Sequence, residues 1–209
     1  DYRGMELRED VSRAEEGLPE GAVVFASFCE SYKITPEIFE LWMRLLSQVS
    51  HSVLWLLAPN AAAQRNLQAA AQSLGIAPAR IHFAPRLPND QHLARYHVAD
   101  LALDTHPYAS HTTLSDALWC GCPAVAYRGA TFASRVSASL LAAVGMVEWI
   151  RDDLASYEAR VLALVSNKPE LLSARTRLLA TRDVLPLFDA ERFTLALQAH
   201  YRSVLTLPR

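Results

Sequence analysis

The sequence predicts an α/β fold: a parallel β-sheet covered by helices on both faces, followed by a helical extension. Two observations point there. Between about Gly21 and Ile150, continuously apolar runs of strand length alternate with longer helical patterns. Strands buried on both faces read as unbroken apolar runs, whereas half-exposed strands alternate. From Arg151 onward the strand-like runs stop and only helical patterns remain.

The elements follow in order. "AVVFASF" (Ala22–Phe28) reads as the first strand. "TPEIFELWMRLLSQV" reads as a helix with Thr35 at the N-cap and Pro36 at its first position, where a missing N–H is tolerated. "SVLWLLA" is the second strand, and "AAAQRNLQAAAQSLG" the second helix, ending at Gly75. "RIHFAP" is the third strand, and "NDQHLARYHV" a short helix capped by Asn89. "ADLALDT" forms the fourth strand, "HTTLSDALWCG" a helix closed by Gly121, and "PAVAY" the fifth strand, opened by Pro123. "ATFASRVSASLLAAVG" is helical and "VEWI" a short sixth strand. "SYEARVLALVSN", "PELLSARTRLLA" and "PLFDAERFTLALQAHYRSVL" complete the chain as helices. Three segments result: a lead-in over 1–20, a Rossmann-like lobe over 21–150, and a helical extension over 151–209 packed on the lobe.

Bulk properties narrow the function classes. With 51% apolar and 20% charged residues, the 209-residue chain can bury a solid core, which argues against global disorder. The net charge is −2 and no basic block occurs, so neither nucleic acid nor an anionic membrane is an expected partner. No apolar run reaches membrane-spanning length, and the opening "DYRGMELRED" lacks the layout of a signal peptide. Three cysteines are too few for a disulfide scaffold, and Cys120 and Cys122 have no second cluster to complete a zinc site. Buried thiols in a reducing cytoplasm are expected. The polar start without Met suggests a piece of a longer protein.

In an open parallel sheet, ligands bind beyond the carboxyl ends of the strands, at a switch in strand order. Candidate residues are therefore those that follow strands. Lys33 lies five residues after Phe28 and can reach a phosphate over the sheet edge, or simply stand in solvent. His92 and Arg95, three apart on the short helix, suit a nucleobase by stacking and hydrogen bonding, although most such pairs are surface residues. The stretch His111–Thr112–Thr113 opens a helix whose first amides lack partners. Its positive end and two hydroxyls describe a pyrophosphate seat. Asp116, one turn deeper, could accept from ribose hydroxyls, while a Thr cap with an early Asp is also an ordinary helix start. Gly129 either admits a ligand or turns the chain, and Arg135 is expected to pair with an acid. No dinucleotide fingerprint, nucleophile elbow or metal box occurs.

Taken together, "YKITPEIFELW", "SVLWLL", "RIHFAP…HLAR", "ADLALDT", "HTTLSDALWCGCPAV" and "GATFASRVSASLL" resemble the carboxyl half of the O-GlcNAc transferase catalytic region. The resemblance runs from roughly Leu18 to Tyr201, and the bacterial members are nearest in character. It implies a GT-B glycosyltransferase, two Rossmann-like lobes around a donor cleft, whose carboxyl lobe grips UDP-GlcNAc. The implied reaction transfers GlcNAc to protein Ser or Thr with inversion and without metal or other cofactor. The resemblance further implies that Lys33, His111, Thr112 and Thr113 hold the diphosphate, with Lys33 stabilising the leaving group. Asp116 would hold the ribose, and His92 and Arg95 would frame the uracil beside the Leu87 backbone. Two positions differ from the animal enzymes: Glu30 stands for a Gln and Asn89 for a Lys near the ribose, which bears on the choice of donor. In the family an amino-terminal lobe and tetratricopeptide repeats precede this region and supply acceptor contacts. The chain alone is therefore expected to bind nucleotide without turnover, its general base lying elsewhere. The alternatives are an inactive nucleotide-sugar-binding module, a GT-B enzyme using another donor sugar, and a purely structural domain.

Overall fold

The computed structural model describes residues 2, 8, 10–57 and 60–205. Most of the 1–20 lead-in before Asp10, and Ala58 at the end of the second predicted strand, lie outside the described residues. Six parallel strands form one sheet in the order β3-β2-β1-β4-β5-β6. They are β1 (Val23–Ser27), β2 (Ser52–Leu57), β3 (Ile81–Ala84), β4 (Leu101–Leu103), β5 (Ala124–Tyr127) and β6 (Ile150–Arg151). The register is fixed by pairs such as Phe25 with Leu54 on one side of β1 and Phe25 with Leu101 on the other. All six residues of β2 are buried, so its unbroken apolar run reflects cover on both faces.

The helices form where the sequence patterns place them. Helix α1 (Pro36–Gln48) begins with the Thr35 side chain accepting from the Ile38 amide, and buries Ile38, Leu41, Trp42, Leu45 and Leu46. These residues recur at helical spacing, which gives one apolar stripe against the core. Helix α2 (Ala61–Ser73) is capped by Asn60, α5 (Phe132–Ala143) by Thr131, and α6 (Leu154–Ser166) by Asp153. Helix α3 (Asn89–Ala94) differs from the expected capping: Asn89 is its first residue, and Pro88 takes the extended cap position. The cap must hold non-helical backbone angles, and the Pro88 ψ of 152° supplies them.

Helix α4 (Thr112–Trp119) ends before Gly121, whose φ of +76° only glycine adopts readily. The lobe continues into α6 and α7 (Lys168–Thr181), which bury Tyr157, Val161, Leu164, Ala174 and Leu178. From α7, Arg175 donates to the His97 carbonyl at 3.1 Å. Arg182, just beyond α7, donates to the Trp119 carbonyl at 3.2 Å. The last helix, α8 (Ala190–Leu205), departs from the expected packing. It starts four residues after Pro186 and has no buried residue, leaving Phe193, Leu195, Tyr201 and Val204 exposed. No helix among the described residues is long and apolar enough to cross a membrane.

Candidate functional site

The strand order reverses beside β1. The chain runs outward through β2 and β3, then returns to the other side of β1 as β4. The loops leaving β1 and β4 therefore part in opposite directions and leave a crevice at their carboxyl ends. Lys33 follows β1, and the segment 104–113 follows β4. The topology thus brings two of the sequence candidates to one place.

Lys33 sits in a 3-10 turn (Ser31–Lys33) and is half-buried. Its Nζ donates to the Ala109 carbonyl at 3.1 Å and lies 3.8 Å from the centre of the Tyr108 ring. The Tyr108 ring in turn meets the His111 ring edge-on at 5.1 Å. An ammonium is thereby held beside the amino-terminal mouth of α4. His111 occupies the cap of α4 without any side-chain cap bond, and its Nε2 lies 3.3 Å from the Ala133 carbonyl. Thr112 and Thr113 are the first two helical residues. The ordinary start, a Thr cap with an acid in the first turn, is absent: no acidic residue lies in the first turn. The leading amides of α4 are left to other acceptors.

The base-side candidates connect to the same helix. The Tyr96 hydroxyl donates to the Thr113 carbonyl at 3.0 Å, and the His92 ring packs against Tyr96 at 5.7 Å and Phe28 at 5.3 Å. Burial lowers the His92 pKa, and Arg95 lowers it further, which favours the neutral ring. Leu87 and Asn89 stand exposed at the start of α3.

Arg95 departs from the role expected of it. It is 1% exposed; its Nε donates to Glu16 at 3.2 and 3.1 Å, and its Nη1 to the Pro85 carbonyl at 2.6 Å. Its fork fixes the backbone after β3 from below rather than standing open to a base. Glu30 is paired with Arg86, which neutralises a carboxylate next to the crevice. Arg128 pairs with Asp152 at 2.7 Å, whereas Arg135 forms no ion pair among the described residues. A Cβ on Gly129 would collide with the Ser134 side chain, so that glycine serves the chain's own packing.

Three residues of the site were not singled out by sequence. Tyr2 donates its hydroxyl to Asp116 Oδ1 at 2.5 Å and stacks on Trp119 at 5.2 Å. Burial raises the Asp116 pKa, and the Tyr2 bond opposes the rise. Tyr108 is the shelf under Lys33. Asp104 lies beneath the loop, fully buried, with its pKa pushed up to about 6 by burial against the hydrogen bonds it accepts. Its only sequence signal is a lone carboxylate ending an apolar strand, "LALD".

Among the described residues, no group of three His, Cys, Asp or Glu side chains is placed to hold a metal ion. All three cysteines are free and buried, and burial pushes the Cys122 thiol up to about 12. A groove of about 630 Å³ runs along α5 past Arg128, Phe132, Arg135 and Val147, and neither Lys33 nor the first residues of α4 line it.

The sequence model for glycosyl transferase family 41 matches residues 6–197. The chain is 36% identical over 190 residues to a probable UDP-N-acetylglucosamine–peptide N-acetylglucosaminyltransferase SEC from Arabidopsis thaliana, covering 90% of this chain and 19% of that protein. A Caenorhabditis elegans UDP-N-acetylglucosamine–peptide N-acetylglucosaminyltransferase is 32% identical over 182 residues, covering 87% of this chain and 16% of that protein. The chain thus spans about a fifth of the length of the curated relatives it matches. Among solved structures, a mutant of the Thermobaculum terrenum O-GlcNAc transferase superposes with a TM-score of 0.81 at 30% identity, over 88% of this chain and 36% of that one. The C-terminal domain of a group 1 glycosyl transferase from Francisella tularensis, at 11% identity and a TM-score of 0.60, covers 80% of this chain and 87% of that domain, and shares the fold alone.

Proposed function

Since the chain belongs to glycosyl transferase family 41, we propose that it is the nucleotide-sugar-binding lobe of a protein O-GlcNAc transferase. Its donor is UDP-GlcNAc, and the reaction inverts the anomeric centre without a metal. The observation that carries this reading is Lys33 Nζ, held at 3.1 Å from the Ala109 carbonyl beside the uncapped mouth of α4.

As the anomeric bond breaks, the electron pair stays with the β-phosphate oxygen and UDP leaves as an anion. The Lys33 ammonium, the α4 amides and the hydroxyls of Thr112 and Thr113 meet that charge from fixed positions. Because these groups are already oriented, little reorganisation is needed as the charge grows. Asp116 accepts from the ribose hydroxyls. The uracil lies against His92, with Arg95 holding the backbone from Pro85 towards Leu87 beneath it. Glu30, neutralised by Arg86, and Asn89 border the donor.

A preceding lobe and tetratricopeptide repeats complete the cleft and bring the protein acceptor, with the lead-in over 1–20 arriving from that lobe. An open crevice in this chain fits that division, since half of the cleft wall belongs to another lobe. The test is a structure of the UDP complex. Both phosphorus atoms should lie between Lys33 and the first turn of α4; phosphorus atoms bound elsewhere would end this reading. Steady UDP release by the full-length protein with a Ser-containing peptide, and none by this chain alone, is the matching kinetic result.

A further inference from the structure

We infer that Asp104 is the positioning residue of this donor site, acting through the 105–111 loop without touching the ligand. The inference rests on the donor reading above and adds a residue to it. Asp104 is 2% exposed. One of its oxygens, Oδ1, gathers three donors: the Thr105 amide at 2.9 Å, the Ser110 amide at 2.7 Å and the Ser137 hydroxyl at 2.9 Å. The two amides come from opposite ends of one loop. A single atom therefore fixes both where the chain leaves β4 and where it enters α4. Ser137 also donates to the Ser110 carbonyl at 2.7 Å, tying the same point to α5.

The consequence for the crevice is geometric. The amides of Thr105 and Ser110 are turned inward, so the amides left for an anion begin after them, at the mouth of α4. Ala109 precedes Ser110 and directs its carbonyl to Lys33 Nζ; His111 follows Ser110 and caps α4. The distance between the ammonium and the helix mouth is thus set by where Ser110 is pinned. The second carboxylate oxygen, Oδ2, is buried with no hydrogen-bond partner among the described residues. A buried carboxylate with one oxygen unpartnered is a poor stabilising device. What it does well is hold two distant backbone amides to one point.

The test is calorimetric titration of UDP into the full-length wild type and its Asp104→Ala, Asp104→Asn, Ser137→Ala and Leu164→Ala variants, each also melted thermally. Asp104→Ala should weaken UDP binding by about tenfold or more, because an anchor of two amides is lost. Asp104→Asn, whose amide oxygen has two lone pairs for the two loop amides, should recover affinity to within about threefold of wild type. Ser137→Ala should fall between them. Leu164→Ala, in the core of α6, should lower the melting temperature and leave UDP affinity unchanged, which separates positioning from plain destabilisation. Equal affinity in the wild type and Asp104→Ala, or an Asn variant as weak as the Ala variant, overturns the inference. Should Asp104→Ala fail to fold, unchanged affinity in Ser137→Ala overturns it instead. A wild type that does not bind UDP removes the donor reading itself, so the two failures are told apart.

Discussion

Replacing Asp104 with Asn also exposes what this carboxylate costs the fold. Burial raises its pKa from the ordinary 3.8 to about 6, against the pull of the donors from Ser110, Ser137 and Thr105. At about 1.4 kcal/mol per pKa unit, the charged form is disfavoured in the folded chain by about 3 kcal/mol. The folded-state value lies above the unfolded one, so the folded chain binds this proton more tightly. The stabilisation from that proton is complete below about pH 3.8 and is lost as the pH rises through about 6. Asn carries no such proton. The stability of Asp104→Asn relative to wild type should therefore climb with pH, by about 2 kcal/mol between pH 4.5 and pH 7.5 out of the full 3. A buried amide nitrogen adds a constant offset that does not vary with pH. Cys29 and Tyr157 sense the Asp104 charge, and burial pushes both upward, so neither ionises in this window. Urea unfolding of both chains at several pH values measures the difference, and other carboxylates cancel between them. Parallel stability curves, or a variant that loses ground as the pH rises, would refute the reasoning.

Lys33→Ala should weaken UDP binding by about tenfold to hundredfold, the value of about 1.5–3 kcal/mol for a hydrogen bond to a charged group. Its melting temperature should barely move, because Lys33 is half-buried and outside the core; equal UDP affinity would argue against its phosphate role. Tyr2→Phe frees Asp116 Oδ1 and should tighten UDP binding by about threefold to tenfold; weaker binding would show that Tyr2 orients the carboxylate instead of competing for it. Gly121→Ala combines a φ of +76° with a Cβ 2.6 Å from Leu179 Cγ and should cost about 2–4 kcal/mol in urea unfolding. Chelation with EDTA should leave turnover by the full-length protein unchanged, since Lys33 and α4 are proposed to meet the leaving-group charge. Loss of activity restored by added divalent metal would count against that.

Much of the architecture is local in origin. The Thr35 cap and Pro36, the apolar stripe of α1, the unbroken run of β2 and the turn at Gly121 are all written in adjacent residues, and the structure has them there. The candidate site is legible for a related reason: its residues follow strands, and an open parallel sheet has only one kind of ligand edge. The short elements are where local pattern falters. Asn89 looks like a cap, yet the neighbouring Pro88 takes that place.

The sequence by itself determined the alternation of strands and helices, their caps, and the set of polar residues stationed beyond the strand ends. Only the tertiary structure decided which of those residues are open and which are already engaged. Arg95 is occupied by Glu16, 79 residues away, and Asp116 by Tyr2, 114 residues away. Asp104 becomes an anchor only once the loop folds back so that Ser110 meets it. Helical and strand patterns arise from interactions between near neighbours, which a linear reading can follow. Pairings across the fold depend on strand order and register, and those are fixed only when the whole sheet assembles.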